Sequence, residues 1–351
     1  MNKQIAVLPG DGIGPEVTTV AVKVLQKIAE VFKHQFQFEE GLVGAVAIDE
    51  TGYPFPDETL QLCQTADAIL FGAIGHPKYD NDPTAPVRPE QGLLAMRKAL
   101  GLFANIRPVN TFSALADASP LKREIVEGVD FVVFRELTGG SYFGKKGRSE
   151  DRLSAFDTCT YTHDEILRIT KLAFEAAGNR RKKVTLVDKA NVMETSRLWR
   201  EVVQNYAQDF PDIELELMFV DNAAMALIQN PKRFDVILTE NMFGDILTDE
   251  ASVITGSLGM LPSASVGSQV ALYEPIHGSY PQAAGLNIAN PMAAVLSAAT
   301  LLEMSFDLWE EGKAVRKAVE QCLNEGYVTK DINPENFKST TEVGEHICRF
   351  I

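Results

Sequence analysis

Positive charge is scarce in this chain of 351 residues: 33 Lys and Arg stand against 48 Asp and Glu, a net charge of −15. Nucleic-acid affinity rests on clustered Lys and Arg that neutralise phosphates, so neither DNA nor RNA is an expected partner. Cysteine is scarce too. Cys63, Cys159, Cys322 and Cys348 are scattered without a C-x-x-C pair. That argues against a disulfide framework or a cysteine zinc site and fits a reducing compartment, the cytoplasm by default. Long apolar runs are missing. The N-terminal MNKQIAVLPGDG holds a four-residue apolar stretch, too short for a signal peptide. The one long uncharged tract, Ala251 to Leu302, is interrupted by Pro262, Pro275, Pro281 and Pro291, so it cannot cross a membrane as a single helix. Repeats, low-complexity segments and linkers are absent as well, and the residues alone leave the domain boundaries unmarked.

What is present is 45% apolar residues, enough for a sizeable core, in a length that suits about two domains. Apolar β-type runs alternate with helical periodicity, the pattern of an α/β protein with a largely parallel sheet. In the first unit Ile5 to Leu8 is expected as a strand and Gly10 to Gly14 as a tight loop. Pro15 should open a helix that buries Val17, Val20, Val24, Ile28 and Val31. Ligands in open α/β sheets gather beyond the carboxyl ends of strands, and five such ends are chemically loaded. The runs ending at Phe71, Phe134, Val187, Val220 and Leu238 lead into Gly72, Arg135, Asp188-Lys189, Asp221 and Thr239-Glu240.

Gly10-Asp11-Gly12-Ile13-Gly14-Pro15 fails the dinucleotide fingerprint, since its third glycine comes one position early and a proline follows. A plain strand-to-helix turn explains it, and another use of the loop stays open. Asp245 and Asp249 lie four apart, so on a helix they share a face and can bind one cation, with Asp221 as a third oxygen ligand. Carboxylates without His or Cys suit magnesium or manganese; the competing explanation is a solvated acidic face. Arg97, Arg107, Arg135 and Lys189 gain weight as anion ligands where cations are few, because a guanidinium fork pairs with a carboxylate through two hydrogen bonds. Separate surface arginines with their stems laid on the protein would look the same. The tract from Ala251 to Leu302 carries one charged residue, Glu274, against about twelve at the 23% chain average. That deficit means burial or a ligand surface. With no Lys or Arg in it, a bound pyrophosphate would rely on backbone N–H groups. His34, His76, His163 and His346 show no ligand spacing.

Taken in order, GDGIGPEV from Gly10, GLLAMRKALGLFANIRP from Gly92, RELTGGSYFG from Arg135, VDKANVMETSRLWR from Val187, NMFGDILTDEAS from Asn241 and EPIHGSYPQAAGLNIANP from Glu274 resemble one family over essentially the whole chain. It is the decarboxylating β-hydroxyacid dehydrogenases, which comprise 3-isopropylmalate and isocitrate dehydrogenases. The resemblance implies a two-domain α/β fold with a mixed, largely parallel sheet, distinct from the Rossmann fold. Residues 1 to 102 with 257 to 351 would form a discontinuous cofactor-binding domain, and 103 to 256 a second domain for dimerisation, metal and substrate. It implies a homodimer with shared active sites. Arg97, Arg107 and Arg135 would hold the malate carboxylates. Asp245 and Asp249 of one subunit, with Asp221 of the other, would bind magnesium or manganese. Lys189 of the second subunit and Tyr142 would move protons, with NAD as hydride acceptor, and loss of carbon dioxide would follow oxidation.

Substrate choice in the family follows from the segment before Arg97. Here Glu90, Leu93 and Leu94, with Val192 from the second subunit, imply an enclosed isopropyl group and hence 3-isopropylmalate and leucine biosynthesis. A carboxylate facing two leucines would be left unpaired at considerable cost. Isocitrate, homoisocitrate or tartrate is the alternative within the family. A non-redox lyase or a silent binding protein on the same fold is the alternative outside it. Ile13, Gly75, Glu274, His277, Gly278, Ser279, Pro281, Gln282 and Asn290 would form the NAD site. Gln282 stands where NAD-dependent members usually carry aspartate, which implies weaker discrimination against NADP. His76 replaces a glycine common in the family, with no functional role assigned to it.

Overall fold

The computed structural model describes residues 1–81 and 84–351. Twelve strands follow along the described chain: β1 (Asn2–Gly10), β2 (Gln35–Glu40), β3 (Ala68–Ala73), β4 (Ala104–Asn110), β5 (Asp130–Glu136), β6 (Lys146–Arg148), β7 (Ala155–Asp157), β8 (Lys183–Asp188), β9 (Glu214–Phe219), β10 (Val236–Thr239), β11 (Pro262–Val266) and β12 (Ala271–Pro275). The chain divides into two compact units, Met1–Leu102 with Gly256–Ile351, and Phe103–Thr255.

In the first unit the strand order is β2-β1-β3-β12-β11, parallel except for the β11–β12 pair. Val7 faces Leu70 on one side and Glu40 on the other. Apolar residues such as Leu8, Ile69, Phe71 and Leu272 close one core with Met96 and Leu102. The first helix, Gly14–Phe32, starts one residue before Pro15 and buries Val17, Val20, Val24 and Ile28. Val31 departs from expectation at 43% exposed, because it lies in the last turn of the helix. The helix Met292–Phe306 is buried almost all round, which accounts for part of the charge deficit as burial. In the second unit the order is β4-β5-β10-β8-β9, parallel except for β4–β5. Its core gathers Phe131, Val133, Ile237 and Phe234 with Leu227 and Leu247. β6 and β7 form a separate antiparallel ribbon. The fold is thus α/β with a mixed, largely parallel sheet. Val220 opens a helix, Val220–Gln229, instead of ending β9.

Among the described residues no helix is long and apolar enough to cross a membrane. All four cysteines are free. Burial pushes the Cys63 and Cys322 thiols up to about 12, and thiolate is the reactive form. A thiol reagent at mildly alkaline pH is therefore expected to label the partly exposed Cys159 ahead of both. Prompt labelling of Cys63 in the folded chain would show that its enclosure is wrong.

Candidate active site

The helix Asn241–Ser252 organises the second unit's polar cluster. Glu240 caps it, Oε1 accepting the Phe243 amide hydrogen at 2.8 Å. Burial raises the Glu240 carboxyl above the usual range. Its Oε2 accepts from the Tyr161 hydroxyl at 2.9 Å, and the Tyr161 hydroxyl oxygen accepts the Asn241 amide hydrogen at 3.0 Å. Arg135, 5% exposed, lies along this helix. A Cβ at position 244 would stand 2.5 Å from Arg135 Cγ, so Gly244 is what lets the side chain pass. Its Nε and Nη2 donate to Asn241 Oδ1 at 3.2 and 2.9 Å, and Nη1 donates to Asp245 Oδ1 at 2.6 Å. The other Asp245 oxygen accepts from the Tyr142 hydroxyl at 2.8 Å. Burial first, then this hydrogen bond, raises the Tyr142 hydroxyl above the ordinary tyrosine value, so it keeps its proton throughout the neutral range. One turn on, Arg107 is held by Asn105 Oδ1 at 2.8 Å, Thr248 Oγ1 at 2.8 Å and Asp249 Oδ1 at 3.2 Å.

A second polar group forms at the end of β8. Asp188 is buried and receives Arg200 on both oxygens, Nε at 2.5 Å and Nη2 at 3.0 Å. The Lys189 amide donates to Ser196 Oγ at 3.0 Å. The Lys189 Nζ donates to Asp221 Oδ1 at 2.8 Å, which holds the Asp221 carboxyl below the usual range. Val192, one turn away, is 67% exposed.

In the first unit the helix Pro89–Ala99 places Glu90, Leu93, Leu94 and Arg97 three or four residues apart on one face. Arg97 Nη2 lies 3.5 Å from Glu274 Oε1, and its Nε is buried without a hydrogen-bond partner among the described residues. Leu93 packs partly against the core, whereas Leu94 is 48% exposed.

A separate cleft of about 730 Å³ is lined by Ile13, Gly256–Gly259, His277, Gly278, Tyr280, Ile288, Ala289, Asn290, Lys330 and Asp331. Of the nine expected cofactor residues it contains Ile13, His277, Gly278 and Asn290. Glu274 instead faces Arg97, and the Gly75 amide is spent on Asp11 Oδ2 at 2.9 Å. Ser279, Pro281 and Gln282 lie outside this lining. The Ser279 carbonyl takes the Ile13 amide hydrogen at 2.8 Å. His277 Nδ1 lies 3.0 Å from the Gly278 carbonyl, and Nε2 is buried and unpartnered. Burial holds the ring below its ordinary pKa, so a neutral nitrogen is left for a ligand's hydrogen bond.

Several contributors were not read from the sequence. Asn241, Thr248 and Tyr161 are neutral, and nothing in spacing or charge marks them. Lys330 and Asp331 come from beyond the uncharged tract and bring one charge of each sign to the described lining. The open question of the glycine loop is answered by Asp11. Its carboxylate takes the amide hydrogens of Ala45, Val46 and Gly75 at 2.9, 3.1 and 2.9 Å. His76 also finds a role, its Nδ1 accepting the Lys78 amide hydrogen at 3.1 Å to cap the turn at Pro77.

Two carboxylates on one helical face, one of them exposed, are hard oxygen donors suited to a divalent ion. Among the described residues of the single chain, no three His, Cys, Asp or Glu are grouped to hold a metal.

Residues 4–347 match the family described as isocitrate/isopropylmalate dehydrogenase. A 3-isopropylmalate dehydrogenase from Bacteroides fragilis is 56% identical over 100% of this chain and 99% of its own. One from Priestia megaterium is 58% identical over 100% and 96%. Among solved structures, an isocitrate dehydrogenase from Methylococcus capsulatus superposes with a TM-score of 0.88 at 32% identity, covering 99% of each chain. A beta-decarboxylating dehydrogenase from Thermococcus kodakarensis gives 0.83 at 35% identity, covering 99% of this chain and 96% of that one. With a family match spanning residues 4–347 and relatives more than half identical along their lengths, the chain belongs to the isocitrate/isopropylmalate dehydrogenase family.

Proposed function

We propose that this enzyme oxidises and decarboxylates 3-isopropylmalate to 4-methyl-2-oxopentanoate in leucine biosynthesis, with NAD and magnesium or manganese. The observation that carries this reading is the convergence of Arg135 and Tyr142 on the two oxygens of Asp245, one helical turn from the Arg107–Asp249 pair. Full-length relatives named for that substrate support it. When bound, the divalent ion supplies Lewis acidity at the hydroxyl and carboxylate, and the nicotinamide accepts the hydride.

The chain's own groups do the rest. Arg97, Arg107 and Arg135 would take the substrate carboxylates. The unpartnered Nε of Arg97 is a donor suited to that task. Asp245 and Asp249, with Asp221 of a second subunit, would hold the ion. Lys189 Nζ of that second subunit takes the hydroxyl proton as hydride leaves. Carbon dioxide then departs from the carbon adjacent to the new ketone, leaving the electron pair as an enolate, and the Tyr142 hydroxyl protonates that carbon. In this reading the first unit binds the cofactor through Ile13, His277, Gly278 and Asn290 around its cleft. The second carries metal, substrate and dimer contacts. Exposed Leu153, Phe156 and Ile246 in the second unit, at 87, 57 and 60%, supply apolar surface for a homodimer. Four free cysteines suit the cytoplasm.

The test is NADH formation by purified protein with 3-isopropylmalate and manganese, beside isocitrate and beside NADP. Turnover confined to 3-isopropylmalate and abolished by chelator is expected. Turnover with isocitrate alone would discard the substrate assignment. A monomer fully active at high dilution would discard the shared site.

Leu94 and Leu93 can be separated within this reading. Leu94→Asn should lower kcat/KM for 3-isopropylmalate by roughly tenfold to a hundredfold, since burying a branched alkyl group contributes about 1.5–3 kcal/mol. Leu93→Ser should instead lower the melting temperature, because Leu93 packs partly against the core. Unchanged substrate efficiency in Leu94→Asn would remove this helix from substrate recognition.

A further inference from the structure

The cleft in the first unit raises a charge problem for a dinucleotide, because the chain is already at −15 and the tract forming most of the cleft wall has no Lys or Arg. Lys330 is the one Lys or Arg among the described lining residues. No carboxylate lies within ion-pair distance of its Nζ among the described residues; the amine stands 5.9 Å above the Phe337 ring. The turn that carries it is anchored. Val328 and Thr329 are buried at 4 and 0% exposure, and the Ile332 and Asn333 amides both donate to the Thr329 carbonyl at 3.1 Å. Asp331, the one acid among the described lining residues, is committed elsewhere. Its Oδ2 accepts from Ser257 Oγ at 2.6 Å and Asn290 Nδ2 at 3.1 Å, and its Oδ1 accepts from Thr329 Oγ1 at 2.6 Å. The contacts to Ser257 and Asn290 tie the turn to two other lining segments, so the lysine is held at the cleft while its ammonium stays unpaired.

We propose that Lys330 is the phosphate-recognising residue of this cleft, an assignment that rests on the cofactor reading above. The shared chemistry is an ammonium against a phosphate oxygen, and the phosphate has two possible sources. One is the pyrophosphate bridge common to NAD and NADP. The other is the 2′-phosphate of NADP alone, which Gln282 does not repel as an aspartate would.

Isothermal titration of the full chain separates these sources without turnover. The ligands are NAD, NADP, ADP and 2′,5′-ADP, and the proteins are native, Lys330→Ala and Lys330→Arg. Lys330→Ala should weaken binding about tenfold, as expected for losing one charge-assisted contact, and flatten its salt dependence. Lys330→Arg should keep most of the affinity. Loss confined to NADP and 2′,5′-ADP places the amine at the 2′-phosphate; equal loss for NAD and ADP places it at the pyrophosphate. Native affinity retained within about twofold by Lys330→Ala for all four ligands would overturn the assignment of Lys330. Failure of the native chain to bind any of them would overturn the cofactor reading itself.

Discussion

Exchanging Lys189 for methionine is expected to lower kcat by roughly 10²–10⁴ while KM stays near its native value, the range for removing a positioned proton acceptor. The backbone around this lysine is fixed independently of its amine. Asp188 is clamped by Arg200, the Lys189 amide is bonded to Ser196 Oγ, and the Arg200 guanidinium rests 4.9 Å from the Phe219 ring. Deleting the amine therefore leaves the strand end in place and removes only the group that donates to Asp221 Oδ1. Lys189→Arg discriminates a proton carrier from a mere counter-charge, because a guanidinium keeps its proton at any working pH. The arginine variant should be as slow as the methionine one, and Lys189→Ala should regain activity in added methylamine. A Lys189→Arg enzyme within about tenfold of native kcat would reduce Lys189 to an electrostatic role.

The parts of the site that could be read from the chain are those in which local geometry fixes the relationship between side chains. Asp245 and Asp249 share a face because they are four apart on a helix. Lys189 could be read because a charged residue directly after an apolar run stands at a strand end, and Asp221 follows β9 by one residue, in the first turn of the next helix. Arg135 was marked the same way, although β5 continues through Glu136. What could not be read depends on contacts between distant segments. Asn241 presents one carbonyl oxygen to two Arg135 nitrogens, yet an Asn beginning a helix looks like any other. Asp11 sits in a glycine loop whose spacing leaves its use open, and its carboxylate turns inward to cap Ala45–Thr51 and hold Gly75. Lys330 carries no signal in the chain, because the charge deficit belongs to one continuous tract and the fold brings in a turn from outside it. Leu93 and Leu94 looked equivalent in sequence, and only packing separates them.

Arg135→Lys keeps the charge and should still cost more than any other single conservative change in the cluster. The native fork makes three bonds at once, two to Asn241 Oδ1 and one to Asp245 Oδ1. An ammonium has no planar pair of donors to reproduce them. Asn241 is 1% exposed, so water cannot readily replace a lost donor, and an unsatisfied buried acceptor costs about 1–3 kcal/mol. The same loss frees the Asp245 oxygen opposite the one that holds Tyr142, and in the proposed reading both proton delivery and carboxylate binding rest on that arrangement. Expected together are a lower melting temperature, a KM for 3-isopropylmalate raised by roughly 10²-fold and a reduced kcat, as follows when a bidentate carboxylate ligand and a positioned acid are both disturbed. Asn241→Asp serves as the control. It keeps an acceptor for the fork and should leave the melting temperature closer to native than Arg135→Lys does. If Arg135→Lys matches native in both melting temperature and KM, the fork is not what builds this site.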